Sequence, residues 1–177
     1  AEAIEIGRRT GARIQISHVK TVGPKFWGRG HELIEGMERA RAEGIDVAGD
    51  QYPYEWSSTG FSGGMFARWA LAGGREATLD RLTDSDTRAR IHTDVTYYIN
   101  RNHGPEGCVV ASFPPDQSLE GRSLQSIADE WHCEPEEAAM RLYEKSEGNY
   151  VLHSMVMEDV DAIAKWKLMA VASDGSS

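Results

Sequence analysis

The sequence predicts an α/β fold on a parallel sheet: the C-terminal half of a (β/α)8 barrel of the TIM type, carrying an inserted helical segment. Three observations predict it. Short apolar strands alternate with amphipathic helices across short connections, the order that gives parallel strands joined by right-handed crossovers. At 177 residues the chain is shorter than the ~250 residues of a closed barrel. Four strand–crossover units are legible, with a helix already under way at Ala1-Glu2-Ala3 and nothing after the last strand. The whole chain, 1–177, reads as one partial barrel domain in which 55–150 is a helical region inserted between barrel strands.

The elements follow in order. Ala3 to Arg9 is the tail of an amphipathic helix, with Arg8 and Arg9 at the negative end of its dipole and Gly11 at the left-handed cap. Arg13 to Ser17 is a strand with His18 at its carboxyl end. After Gly23-Pro24 and Gly28, a helix runs from His31 to Ala42, where Leu33, Ile34, Met37 and Ala40 keep the helical period and Gly44 ends it. Ile45 to Gly49 is the next strand, running into Asp50-Gln51-Tyr52-Pro53-Tyr54. Gly60 to Gly64 and Gly73-Gly74 read as loops, and Ala67 to Ala72 and Asp86 to Asn100 as helices. Cys108 to Ala111 is a strand ended by Pro114-Pro115. Ser123 caps a helix reaching Trp131, and Pro135 opens another to Lys145 with acidic residues in its first turn. The remaining elements are a strand at Tyr150 to His153, a helix at Glu158 to Trp166 and a strand at Leu168 to Ala172, which leads into Ser173-Asp174-Gly175.

Composition narrows the function. With 19 basic against 28 acidic side chains the net charge is −9, which argues against nucleic acid, whose phosphates need a basic face. The acidity gathers in residues 112–177, 5 basic against 13 acidic, as solvated helix faces. No apolar run approaches the ~18 residues that would span a membrane, and no signal peptide opens the chain. Two cysteines, Cys108 and Cys133, give no disulfide framework, so a cytoplasmic setting is expected.

Parallel α/β sheets gather ligands at the carboxyl ends of their strands. Here those ends carry His18, the Asp50–Tyr54 run, His153-Ser154 and Ser173-Asp174. An imidazole and a carboxylate at one barrel mouth form a donor set suited to Zn²⁺ with open positions for water. A zinc-bound water ionises near pH 7, and a neighbouring carboxylate can shuttle its proton.

Gln15-Ile16-Ser17-His18-Val19-Lys20, then Asp50-Gln51-Tyr52-Pro53-Tyr54 with Ser57-Ser58-Thr59, and finally Ala172-Ser173-Asp174-Gly175 resemble the N-acyl-D-amino-acid deacylases (D-aminoacylases) of the metal-dependent amidohydrolase superfamily. The similarity also takes in Leu119 to Leu124 and Ile127 to Trp131, so it runs over essentially the whole chain. The resemblance implies a hydrolase that cleaves the linear amide of a small N-acyl-D-amino acid to a carboxylate and a D-amino acid, using one or two zinc ions. It implies a metal-ligand role for His18, at a fifth barrel strand, and for Asp174, at the eighth. Asp174 would also act as general base and then acid. Tyr52 falls at or near the sixth-strand position where the family has a second histidine ligand. The family's early His-x-His pair and its cysteine ligand belong to the first half of the barrel, and neither Cys108 nor Cys133 matches them. The missing N-terminal half is therefore an expected partner, and the metal site within this chain is incomplete.

Lys20, Tyr52, Arg68 and His153 are candidate substrate contacts, the two cations through charge-assisted hydrogen bonds to a substrate carboxylate. His132-Cys133 reads as a helix–helix turn, His92 and His103 as surface positions, and Gly60–Gly64 lacks the frame of a dinucleotide site. Two alternatives stay open: a cyclic amidase of the dihydroorotase or hydantoinase type, and a truncated, non-catalytic homologue.

Overall fold

The computed structural model describes residues 2–175. The chain divides into two compact units, residues 1–55 with 155–177, and residues 56–154.

The first unit opens with α1 (Glu2–Thr10), which leads through Gly11 to β1 (Ile14–Ile16). Gly7 is where α1 meets the sheet: a Cβ there would stand 2.7 Å from Ile14 and 2.9 Å from Ile45, so only glycine permits the approach. The helix α2 (Gly30–Ala42) then turns back to β2 (Val47–Gln51). Its Met37 and Ala40, one turn apart, are buried against Val47 and Ile45.

The second unit begins with β3 (Trp56–Gly60), α3 (Phe61–Met65), α4 (Arg68–Leu71), α5 (Gly74–Thr83) and α6 (Ser85–Arg101). It continues with β4 (Cys108–Ser112), α7 (Leu124–Glu130), α8 (Pro135–Lys145) and β5 (Asn149–His153). Asp84 caps α6 by accepting the Thr87 N–H at 2.9 Å, and Ile91, Val95 and Ile99 form its buried stripe. Ser123 caps α7 as expected, and Pro135 is the first residue of α8. The core of this unit is aromatic at its centre, where the Phe61 ring packs at a tilt against Tyr150 at 4.4 Å and Phe113 at 5.6 Å between centroids.

The chain returns to the first unit with α9 (Met157–Ala164) and β6 (Met169–Val171). Strands β1, β2 and β6 form a parallel sheet in that order, with Ile14 opposite Val47 and Gly49 opposite Met169. Val19, Ile163 and Trp166 complete the core begun by α2.

Three expectations are corrected. Tyr150–His153 is not a strand of the parallel sheet, because β5 lies between β3 and β4 and pairs antiparallel with both. Gly60–Gly64 is not a loop: Phe61 and Met65, one turn apart and fully buried, draw the glycines between them into α3. The Gly73-Gly74 pair is punctuation, with φ of 89° and 83°, but it starts a helix, α5, instead of an open loop. The polar run Trp56–Gly60, with no alternation of its own, becomes a strand because β5 supplies its ladder.

Candidate functional site

The parallel ladder extends beyond its strands. The Val19 N–H donates to the Asp50 carbonyl at 2.9 Å, and the Ala172 N–H to that of Gln51 at 3.0 Å. His18 and Asp174 therefore follow the carboxyl ends of β1 and β6, the two strands that flank β2, at the same end of the sheet. Both have left-handed backbones, His18 at φ 45° and Asp174 at φ 52°. That conformation is uncommon for any residue with a side chain and gathers at functional sites.

Asp50 holds the histidine's backbone in place. Its carboxylate accepts from the His18 N–H at 2.8 Å, from Gln15 Nε2 at 2.8 Å and from Ser17 Oγ at 3.1 Å. The His18 amide, followed by Gln15, keeps the Asp50 carboxyl below its usual range; Ser17 and the imidazole add to this, against a desolvation that opposes it. The sequence reading placed Asp50 in a strand-end run without giving it this role. The signal was present: Gln15 and Ser17, two residues apart in extended chain, share one face, and the register that sets Ile16 opposite Gly49, continued by one residue, sets Ser17 beside Asp50.

Lys20 follows two residues after His18. Its ammonium lies 4.9 Å from the centroid of the Tyr52 ring. Burial lowers the Lys20 pKa, and the Asp174 carboxylate partly opposes that shift. Tyr52 is buried with Met155 and Val160. The first unit thus brings His18, Lys20, Tyr52 and Asp174 to one end of its sheet, with Asp50 among them. The other two candidates lie in the second unit. Arg68 is exposed at the first residue of α4. His153, at the end of β5, stacks between Trp56 at 4.6 Å and His103 at 3.9 Å.

The strand-end donors suit zinc in kind, since imidazole and carboxylate are its ordinary nitrogen and oxygen ligands. They fall short in number. Among the described residues, the one group of three such side chains with ligand atoms within 4.8 Å of one another is His92, Glu134 and Glu136, in the second unit. There the His92 Nε2 lies 3.1 Å from Glu134 Oε2, at the start of α8.

No known family profile matches the chain. It is 30% identical over 174 residues to the N-acyl-D-glutamate deacylase of Alcaligenes xylosoxydans xylosoxydans, covering 98% of this chain and 28% of that protein. Its fold is similar to that of the N-acyl-D-glutamate deacylase of Bordetella bronchiseptica, solved with zinc and a phosphonate inhibitor that mimics the tetrahedral intermediate. The TM-score is 0.68 at 27% identity, covering 98% of this chain and 28% of that one. D-aminoacylase, described as defining a novel subset of amidohydrolases, gives 0.67 at 25% identity over the same shares. The chain spans about 28% of the length of these relatives. In sequence and in fold, this chain is similar to the N-acyl-D-amino-acid deacylases along 98% of its own length.

Proposed function

We propose that this chain forms the C-terminal part of a (β/α)8 metal-dependent hydrolase that cleaves the linear amide of N-acyl-D-amino acids to a carboxylate and a D-amino acid. The observation that carries the reading is the placement of His18 and Asp174 at one end of a parallel sheet, in a chain similar to deacylases along 98% of its length. The strand order supports it. If β6 is the eighth barrel strand, its direct pairing with β2 makes β2 the seventh and β1 the sixth. The sixth-strand histidine then falls on His18, and Tyr52 no longer stands in a ligand's position.

His18 and Asp174 would hold zinc, one or two ions, with the remaining donors supplied by the other part of the barrel. When bound, zinc supplies a hydroxide nucleophile at neutral pH and polarises the acyl carbonyl. Asp174 takes the proton released on attack and returns it to the departing amine nitrogen. Lys20 offers the substrate carboxylate a charge-assisted hydrogen bond from a partly desolvated ammonium. Tyr52 backs that ammonium with its ring. Arg68 and His153 are further candidate substrate contacts. The two free cysteines support a reducing, cytoplasmic setting.

The test is an assay of the intact protein on N-acetyl-D-glutamate and other N-acetyl-D-amino acids, beside their L enantiomers, hydantoin and dihydroorotate. Release of D-amino acids, abolished in Asp174→Asn, is the expected result. Hydrolysis of the cyclic amides alone would move the protein to the cyclic amidases. Inactivity on every substrate, with no bound zinc, would favour a non-catalytic homologue.

A further inference from the structure

We propose that Asp159 is a positioning residue for Lys20, acting through the loop that joins β1 to α2. Asp159 lies in the first turn of α9 and is only 2% exposed. Its carboxylate accepts from Thr21 Oγ1 at 2.6 Å, from the Gly28 N–H at 2.9 Å and from the Gly30 N–H at 2.6 Å. All three donors are neutral, and they come from both ends of one loop: Thr21 directly follows Lys20, and Gly30 opens α2. The fit at the far end is close, since a Cβ on Gly30 would stand 2.9 Å from Asp159 Oδ1. Between the clamped ends the loop lines a cavity of about 420 Å³ with Lys20, Thr21, Phe26 and Arg29.

The same turn of α9 sets the other side of Lys20. Val160, the next residue, is buried with Tyr52 and Met155, and the Tyr52 ring carries the Lys20 ammonium at 4.9 Å. Asp159 thus fixes the backbone beside Lys20 while Val160 fixes the ring beneath it. A buried carboxylate is costly unless its hydrogen bonds are made. An apolar residue could fill this space, but only an acceptor of several bonds can tie Thr21, Gly28 and Gly30 to one point. The consequence for binding rests on the reading of Lys20 as the contact for a substrate carboxylate.

The test compares Asp159→Asn, Thr21→Val and Lys20→Met with the unaltered chain by NMR, using N-acetyl-D-glutamate as probe. The first readout needs no ligand: the Lys20 ε-protons, shifted upfield by the Tyr52 ring. We expect Asp159→Asn to remain folded yet lose most of that shift, together with hydrogen-exchange protection at Gly28 and Gly30. Thr21→Val, which spares both amide bonds, should lose part of the Lys20 shift; it decides the matter if Asp159→Asn does not fold. The second readout is probe affinity, expected to weaken about tenfold in Asp159→Asn, as for one charge-assisted hydrogen bond. Asp159→Asn combined with Lys20→Met should bind no more weakly than Lys20→Met alone. An unmoved Lys20 signal in folded Asp159→Asn and Thr21→Val, or losses that add in the double variant, would overturn the proposal. If Lys20→Met binds the probe as well as the unaltered chain, the substrate role of Lys20 fails, while the first readout still decides the role of Asp159.

Discussion

Asp50→Ala is the most direct perturbation of the candidate site that leaves its proposed donors in place. The carboxylate accepts three hydrogen bonds, all at exposed positions, so water takes over much of what is lost at Gln15 and Ser17. The bond from the His18 amide is different, because it secures a histidine held at φ 45°. Taking that bond at the low end of the range for charged acceptors, with a small remainder from the other two, the loss is about 2 kcal/mol. Asp50→Asn keeps an oxygen for the His18 amide and loses only the charge, so about 1 kcal/mol is expected. Urea denaturation at pH 7 measures both through the midpoint at constant slope. The acid limb supplies an independent check. Since the folded pKa of Asp50 lies below its usual 3.8, its contribution is complete above that value and is lost as pH falls through the lower folded one. The unaltered chain should therefore lose more stability than Asp50→Asn across that acid window. An Asp50→Ala chain within about 0.5 kcal/mol of the unaltered one, with the same acid limb, would refute the claim that this carboxylate holds His18.

Three further outcomes are expected. Zinc should bind the 177-residue chain weakly, because among the described residues no three candidate ligand atoms converge at the ends of the parallel strands, and His18→Ala should remove that binding in calorimetric titration; zinc retained by His18→Ala but lost in His92→Ala would relocate the metal to His92, Glu134 and Glu136. Gly148→Ala should cost about 3 kcal/mol in urea denaturation, the upper range for overpacking, because its Cβ would stand 2.5 Å from the Ser112 carbonyl and 2.7 Å from the Phe61 ring; a midpoint equal to the unaltered chain's would show that the strand end can open. Burial pushes the Cys108 thiol up to about 12, so a thiol reagent at pH 8 should modify Cys133 first and reach Cys108 only at the rate of unfolding.

The elements with a local signal were legible in the sequence. Ser123 and Pro135 announce α7 and α8 through capping chemistry that needs no tertiary partner, and the repeat of Ile91, Val95 and Ile99 announces α6. What the sequence withheld was direction and partnership. Nothing local to Asn149–His153 separates an antiparallel centre strand from the next strand of a parallel sheet, because an apolar run as short as Tyr150-Val151-Leu152 suits a buried strand of either kind. That single ambiguity is what counted Tyr150–His153 among the parallel strands. Trp56–Gly60 carried no period at all, and only its neighbour makes it a strand. At the site, His18 and Asp174 stood out as titratable groups at strand ends. Asp50 did not, because its role depends on a register that relates residues more than thirty positions apart.

The left-handed backbones at His18 and Asp174 connect stability with chemistry. Such a conformation costs roughly 1–2 kcal/mol in a residue with a side chain, and glycine would avoid the cost. A turn needed only to redirect the chain would therefore be met more cheaply by glycine, as after α1 at Gly11, before α2 at Gly28 and after α2 at Gly44, all with positive φ. The other described non-glycine residues with positive φ, His103 and His132, belong to the second unit. On the parallel sheet the strain falls on the two residues whose side chains the resemblance makes metal donors, and at His18 the Asp50 carboxylate offsets it. On the parallel sheet the unfavourable backbone thus coincides with the two residues proposed to hold the metal, and the observed outliers are a reason to test that proposal at both positions.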